Sequence, residues 1–120
     1  MQRDLELIRN ILLKIESLDK RTITIHDLGG ITTDEFNKIG FHLRLLMDCN
    51  YIEAIDLRTK ECDNYVVKRI TSLGYDYLDN IRDNKVWKET KSKLTAIGSS
   101  ASLEIIKLVA GKAITNLLGI

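Results

Sequence analysis

The chain has 120 residues, 44% hydrophobic and 29% charged, with 18 Lys+Arg against 17 Asp+Glu and a formal charge of +1. That length gives one domain able to bury a core without staples, and the balanced charge excludes a strongly basic nucleic-acid coat and an acidic tail protein. No apolar run reaches ~18 residues, charge appears too early for a signal peptide, and Cys49 and Cys62 are too few for a disulfide framework. The expectation is a cytoplasmic, non-catalytic protein with two free thiols and no membrane span.

With no proline and seven glycines, the chain reads as mostly helix. Leu5, Ile8, Ile11, Leu12, Ile15 and Leu18 form one apolar stripe over residues 4–18, a first helix. Thr22-Ile23-Thr24-Ile25 changes the period to two with β-branched residues, which predicts a short strand. His26-Asp27-Leu28-Gly29-Gly30 is a turn. Thr32 and Glu35 have capping-box spacing and open a helix over 33–48, with Phe36, Ile39, Leu43, Leu46 and Met47 inward. Cys49-Asn50 ends it, since Asn tolerates the left-handed conformation of many helix ends.

Tyr51–Leu57 and Tyr65–Ile70 read as the two strands of a β-hairpin, joined by the polar stretch Arg58–Asn64. Thr71 caps a helix over about 72–82 with Leu73, Tyr77, Leu78 and Ile81 inward. Asn84 caps a further helix, 85–97, with Trp87, Thr90, Leu94 and Ile97 inward, and Gly98 ends it. Ser99–Ser102 leads to a last helix, 103–118, closed by Gly119. The predicted fold is mainly α with a small β-hairpin. A tight turn, a helix and then a hairpin give the layout of a winged helix-turn-helix core over 1–82, extended by two C-terminal helices over 83–120. Helix 33–48 takes the place of the recognition helix and the hairpin that of the wing.

The segments Arg3–Arg9, Phe41–Leu46, Ile70–Leu78, Ile81–Lys88 and Ser102–Lys107 resemble an uncharacterised family, a domain of unknown function common in phages and prophages of Gram-positive bacteria. The resemblance spans most of the chain. It implies a winged-helix core, a helical extension and a mobile-element setting, and it implies no activity. Such sequences often carry Gly after the recognition helix and a Gly-rich wing. Here Asn50 and Asp63-Asn64 stand instead.

A winged helix that reads DNA should point Arg, Lys, Asn or Gln outward from its recognition helix. On a wheel of about 100° per residue with Phe36 at zero, the inward arc of helix 33–48 centres near ~340°. The outward arc holds Asp34, Asn37, Lys38, Phe41, Leu45 and Asp48, with Arg44 on the flank. Carboxylates repel phosphate, and an exposed Phe/Leu pair suits a protein contact better. Three readings remain: Phe41 and Leu45 are covered by the chain's own C-terminal helices, by a protein partner, or approach DNA. Asn37, Lys38, Phe41 and Leu45 are the candidate partner-binding residues. Lys38, Arg44, Arg58 and Lys60 are the DNA-binding alternative.

The last helix has ten apolar residues among the 16 from Leu103 to Leu118. An arc that wide calls either for full burial within the chain or for a second copy, a homodimer through the C-terminal helix. His42 is expected beside the hairpin with one ring nitrogen hydrogen-bonded. A site of His42, Cys49 and Cys62 lacks metal-ligand spacing, Gly29-Gly30 lacks the rest of a phosphate loop, and the serines lack a base. No catalytic residue, metal, cofactor or small-molecule substrate is expected. The expected function is regulation by contact with a protein partner, such as a host factor or a repressor. The alternative is a double-stranded DNA-binding transcription regulator.

Overall fold

The computed structural model describes residues 1–96 and 102–119. Among them the elements run α1 (Leu5–Ser17), α2 (Thr33–Asp48), β1 (Ile52–Asp56), β2 (Tyr65–Ile70), α3 (Ser72–Ile81), α4 (Asn84–Ala96) and α5 (Leu103–Leu118). The protein is mainly α with one small antiparallel hairpin, β1 beside β2. It forms two compact units, Met1–Tyr75 and Asp76–Ile120.

In the first unit, the Asp4 carboxylate caps α1 by accepting the Leu7 amide at 3.0 Å. Ile8, Ile11, Leu12 and Ile15 line the buried side of α1, which packs against β2. At the start of α2 the capping box is complete: Thr32 Oγ1 accepts the Glu35 amide and the Glu35 carboxylate accepts the Thr32 amide. At its end Asn50 adopts φ 59°, the left-handed conformation its position called for.

The buried side of α2 is rotated from the expected one by roughly 30° on the wheel. Ile39, Gly40, His42, Leu43 and Leu46 are buried, while Phe36 and Met47 are half-buried. The rotation follows from His42, whose ring nitrogens find partners inside and so remove the penalty for burying it.

The predicted strand at 22–25 shrinks to a single bridge. The Ile23 amide and carbonyl pair with Val67 at 2.9 and 2.8 Å, on the side of β2 away from β1. The competing structure begins at Thr24. Asp27 Oδ2 accepts the Thr24 amide and Thr24 Oγ1 accepts the Asp27 amide, so the turn closes before a second ladder pair forms.

The hairpin is not uniformly alternating. Glu53 pairs with Arg69 and Ala54 with Val67, so Lys68 is an extra residue on β2, a β-bulge. The phase of β2 slips there: Tyr65, Val67 and Ile70 are buried, while Lys68 and Arg69 are both exposed. Both cations reach Glu53, at 3.7 and 2.8 Å.

Thr71 caps α3 as expected, its hydroxyl accepting the Gly74 amide and donating to the Asn50 carbonyl. Leu73, expected inward, is 51% exposed. The buried neighbour is Gly74, which lies so close to the Tyr51 carbonyl and to Ile70 that a side chain has no room.

In the second unit Tyr77, Leu78 and Ile81 of α3 are buried. The cap of α4 is Asp83, whose carboxylate accepts the Lys85 and Val86 amides; Asn84, expected as the cap, is the first helical residue. Val86, Trp87, Thr90 and Leu94 face inward. Ile97, Gly98, Ser99 and Ser100 lie outside the described residues.

α5 begins at the Ser102 cap and ends at Gly119, φ 73°. It packs on α4 through a buried stripe of Leu103, Ile106, Ala110 and Ala113. Full burial of its apolar arc does not occur, because Ile105, Leu108, Leu117 and Leu118 are exposed.

Candidate functional site

The flank of α2 that carries Asn37, Gly40 and Phe41 meets the β1–β2 connection, residues 57–64. Two backbone bonds shape that connection: the Leu57 amide donates to the Asn64 carbonyl at 2.8 Å and the Thr59 amide to the Cys62 carbonyl at 3.1 Å. Thr59 Oγ1 also accepts the Glu61 and Cys62 amides. The connection approaches α2 at Gly40, where an added Cβ would come within 2.7 Å of the Asp63 carbonyl oxygen. The mid-helix glycine is therefore a contact point, a signal for this docking that the sequence reading passed over.

The result is a shallow hollow. Asn37 and Phe41 of α2, Met1, and Thr59 to Asp63 of the connection line it. Phe41 is half-buried and meets the His42 ring edge-on at 5.2 Å. Asn37 and Lys38 are exposed and Leu45 is half-buried. The four candidate partner-binding residues therefore share one side of α2, with Asn37 and Phe41 in the hollow.

Three of the four residues of the DNA-binding alternative engage carboxylates of the chain itself. Lys38 lies 3.1 Å from Asp4, Arg44 3.9 Å from Asp63, and Arg58 2.7 Å from Asp56. Lys60 is exposed and lines the hollow. The Arg58 guanidinium holds the Asp56 carboxyl below its ordinary range, and the carboxylate raises Arg58 in return. Asp4 is lowered by the Leu7 amide first and by Lys38 beside it. Exposed, solvent-screened pairs of this kind contribute little stability. Their effect here is on the field: they mute the positive charge that the helix and hairpin present.

The family described as "Hypothetical protein (DUF2513)" matches residues 2–100. The chain belongs to that family. An "Uncharacterized protein" of Haemophilus influenzae is 34% identical over 119 residues, covering 98% of this chain and 99% of its own length. No solved structure matches.

His42 is the buried polar centre beneath this surface. Its Nδ1 donates to the Lys38 carbonyl at 2.7 Å and its Nε2 accepts the Asp4 amide at 2.8 Å. Both nitrogens are thus used, where the sequence suggested one, and the partners are the Lys38 carbonyl of α2 and the Asp4 amide at the start of α1. The arrangement needs the neutral ring, and burial pushes its pKa down. Among the described residues no group of three or more His, Cys, Asp or Glu could hold a metal ion, and no helix is long and apolar enough to cross a membrane. Sequence reasoning missed Asp4, Asp56 and Asp63, whose carboxylates occupy the cations. Arg58 and Asp56 are two apart on the chain, but nothing local connects Lys38 with Asp4 or Arg44 with Asp63.

Proposed function

We propose that this DUF2513-family protein is a non-catalytic regulatory module that works by contacting another protein, on a winged-helix scaffold. The scaffold reading is supported by the tight turn before α2, by the hairpin directly after it, and by the Ile23 bridge to β2, which supplies a rudimentary third strand. A phage or prophage setting is supported by the sequence resemblance alone.

The observation that carries the protein-contact reading is the docking of residues 57–64 on α2 at Gly40. In a DNA reader the corresponding flank of the helix lies open to the groove and the hairpin tip reaches for phosphate. Here the tip turns onto the helix and leaves a hollow with Phe41 and Met1 in its wall. A small concave surface with an aromatic edge and few unpaired cations suits a side chain of a protein partner, a host factor or a repressor.

The test is capture from bacterial lysate with wild type, Asn37→Arg and Phe41→Asp/Leu45→Asp. Loss of the same protein from both variants is expected. Asn37 is exposed, so its replacement probes the surface without disturbing the core. Equal recovery of every partner by all three removes this face from consideration. The DNA alternative predicts retardation of duplex DNA at low salt, weakening by about one log unit per log salt for each phosphate contacted.

A further inference from the structure

α5 leaves one side uncovered, and that side has an ordered charge pattern. Opposite the buried stripe lie Glu104, Ile105, Leu108, Lys112 and Thr115, all exposed, with Leu108 at 62%. Leu108 sits at the centre of this side. Glu104 is four residues before it and Lys112 four residues after, so all three share one face of the helix. Read from the N-terminus, the strip runs acid, apolar, base. Read from the other end, it runs base, apolar, acid.

We propose that this strip is the interface of a two-fold homodimer in which α5 packs antiparallel against α5 of a second copy, with Leu108 at the axis. Because the two charges stand at equal distances from Leu108, the antiparallel register sets each Glu104 level with Lys112 of the other copy. Two ion pairs then flank a central Leu108–Leu108 contact. A parallel pairing would set like charges against each other and is disfavoured. Beside the axis, Leu94, Leu108 and Val109 floor a shallow hollow rimmed by Lys93 and Lys112, which gives the partner's apolar side chains a place to rest. A foreign acidic helix would meet Glu104, and the side lacks the aromatic residues and basic excess of a membrane-surface helix. This inference does not depend on the α2 surface.

A pair of 16-residue helices buries an area at the low end of specific interfaces, so the dimer is weak, with a dissociation constant of roughly micromolar order or above. Sedimentation equilibrium of the full chain over a wide concentration range tests it. Glu104→Lys and Lys112→Glu should each weaken dimerisation about tenfold, since each change reverses two pairs. The double variant should return to near the wild-type constant, because the strip is then self-complementary in the opposite sense. Leu108→Asp should leave monomer throughout. With Cys49→Ser and Cys62→Ser in place, Leu108→Cys should oxidise to a covalent dimer. All these α5 positions are exposed, so each variant should fold, and circular dichroism checks this. A wild type that stays monomeric, a dimer indifferent to Leu108→Asp, or a double reversal as weak as its parents would overturn the proposal.

Discussion

Replacing Gly74 and Gly111 by alanine, one at a time, should move stability in opposite directions. In a helix interior the exchange gains about 0.8–1 kcal/mol from propensity alone. Gly111 should show that gain, since the nearest atom to an added Cβ is Asn80 Nδ2 at an ordinary 3.9 Å. At Gly74 the same Cβ would fall inside contact with the Tyr51 carbonyl oxygen, 3.0 Å from the Tyr51 carbonyl carbon and 2.7 Å from Ile70 Cγ2. The carbonyl is backbone and is held in place: it accepts the Thr71 amide at 2.9 Å. Relief requires a shift of about 1 Å, costing roughly 1–3 kcal/mol for overpacking and about 1 kcal/mol for the strained hydrogen bond. After the propensity gain, a net loss of about 2 kcal/mol remains. At about 4 °C per kcal/mol, Gly74→Ala should melt roughly 8 °C below wild type and Gly111→Ala about 3 °C above it. Thermal melts by circular dichroism at dilute protein decide this. A Gly74→Ala variant as stable as Gly111→Ala would refute the close approach of α3 to the start of the hairpin.

Further outcomes follow from other sites. The neutral, buried His42 has a folded-state pKa below 6.5, so the unfolded chain takes up the proton first as pH falls. Stability should therefore rise with pH up to about 6.5, in a window above the carboxylate range, and denaturant titrations should show this slope flattened in His42→Gln. Asn50→Gly should keep or slightly raise the melting temperature, and Asn50→Ala should cost about 1 kcal/mol, because φ 59° burdens a β-carbon. The Asp27 carboxyl, held by the Thr24 amide and Lys20, should titrate near 2 by NMR, with the Thr24 amide resonance following it. Gly40→Ala should loosen the 57–64 connection, read as faster amide exchange at Leu57 and Thr59 than in wild type.

Local signals in the sequence were read well where the interaction that makes the structure is itself local. The Thr32–Glu35 capping box, the left-handed Asn50, the bounds of α2 and α5, and the Gly119 cap all depend on neighbours within a turn. Readings went astray where a distant group decided. Leu73 seemed an inward residue by period, but the Tyr51 carbonyl needs the space above Gly74, and α3 turns accordingly. The inner arc of α2 was centred on Leu43, with Phe36 and Met47 inside it and His42 left out, because a histidine looks polar. The Lys38 carbonyl satisfies one ring nitrogen locally, but the other needs the Asp4 amide, 38 residues away in sequence. The strand at 22–25 lost to an equally local rival, the Thr24–Asp27 turn. At the candidate site, the residues on the α2 face were legible from the wheel. The hollow was not, since it arises from a hairpin tip folding back onto the helix.

The extra residue at Lys68 has a bearing on how the hairpin avoids strand-to-strand pairing with other chains. β1 is an outer strand, and its far margin offers backbone groups that another chain could join, the usual route to fibrous assemblies. The bulge coils the ribbon more tightly than a flat ladder, and it crowds two cations and a carboxylate into one spot beside that margin. An incoming strand would find only five residues to pair with, along a skewed and charged rim. Removing Lys68 would restore even pairing, take away one of the two cations and leave a flatter rim.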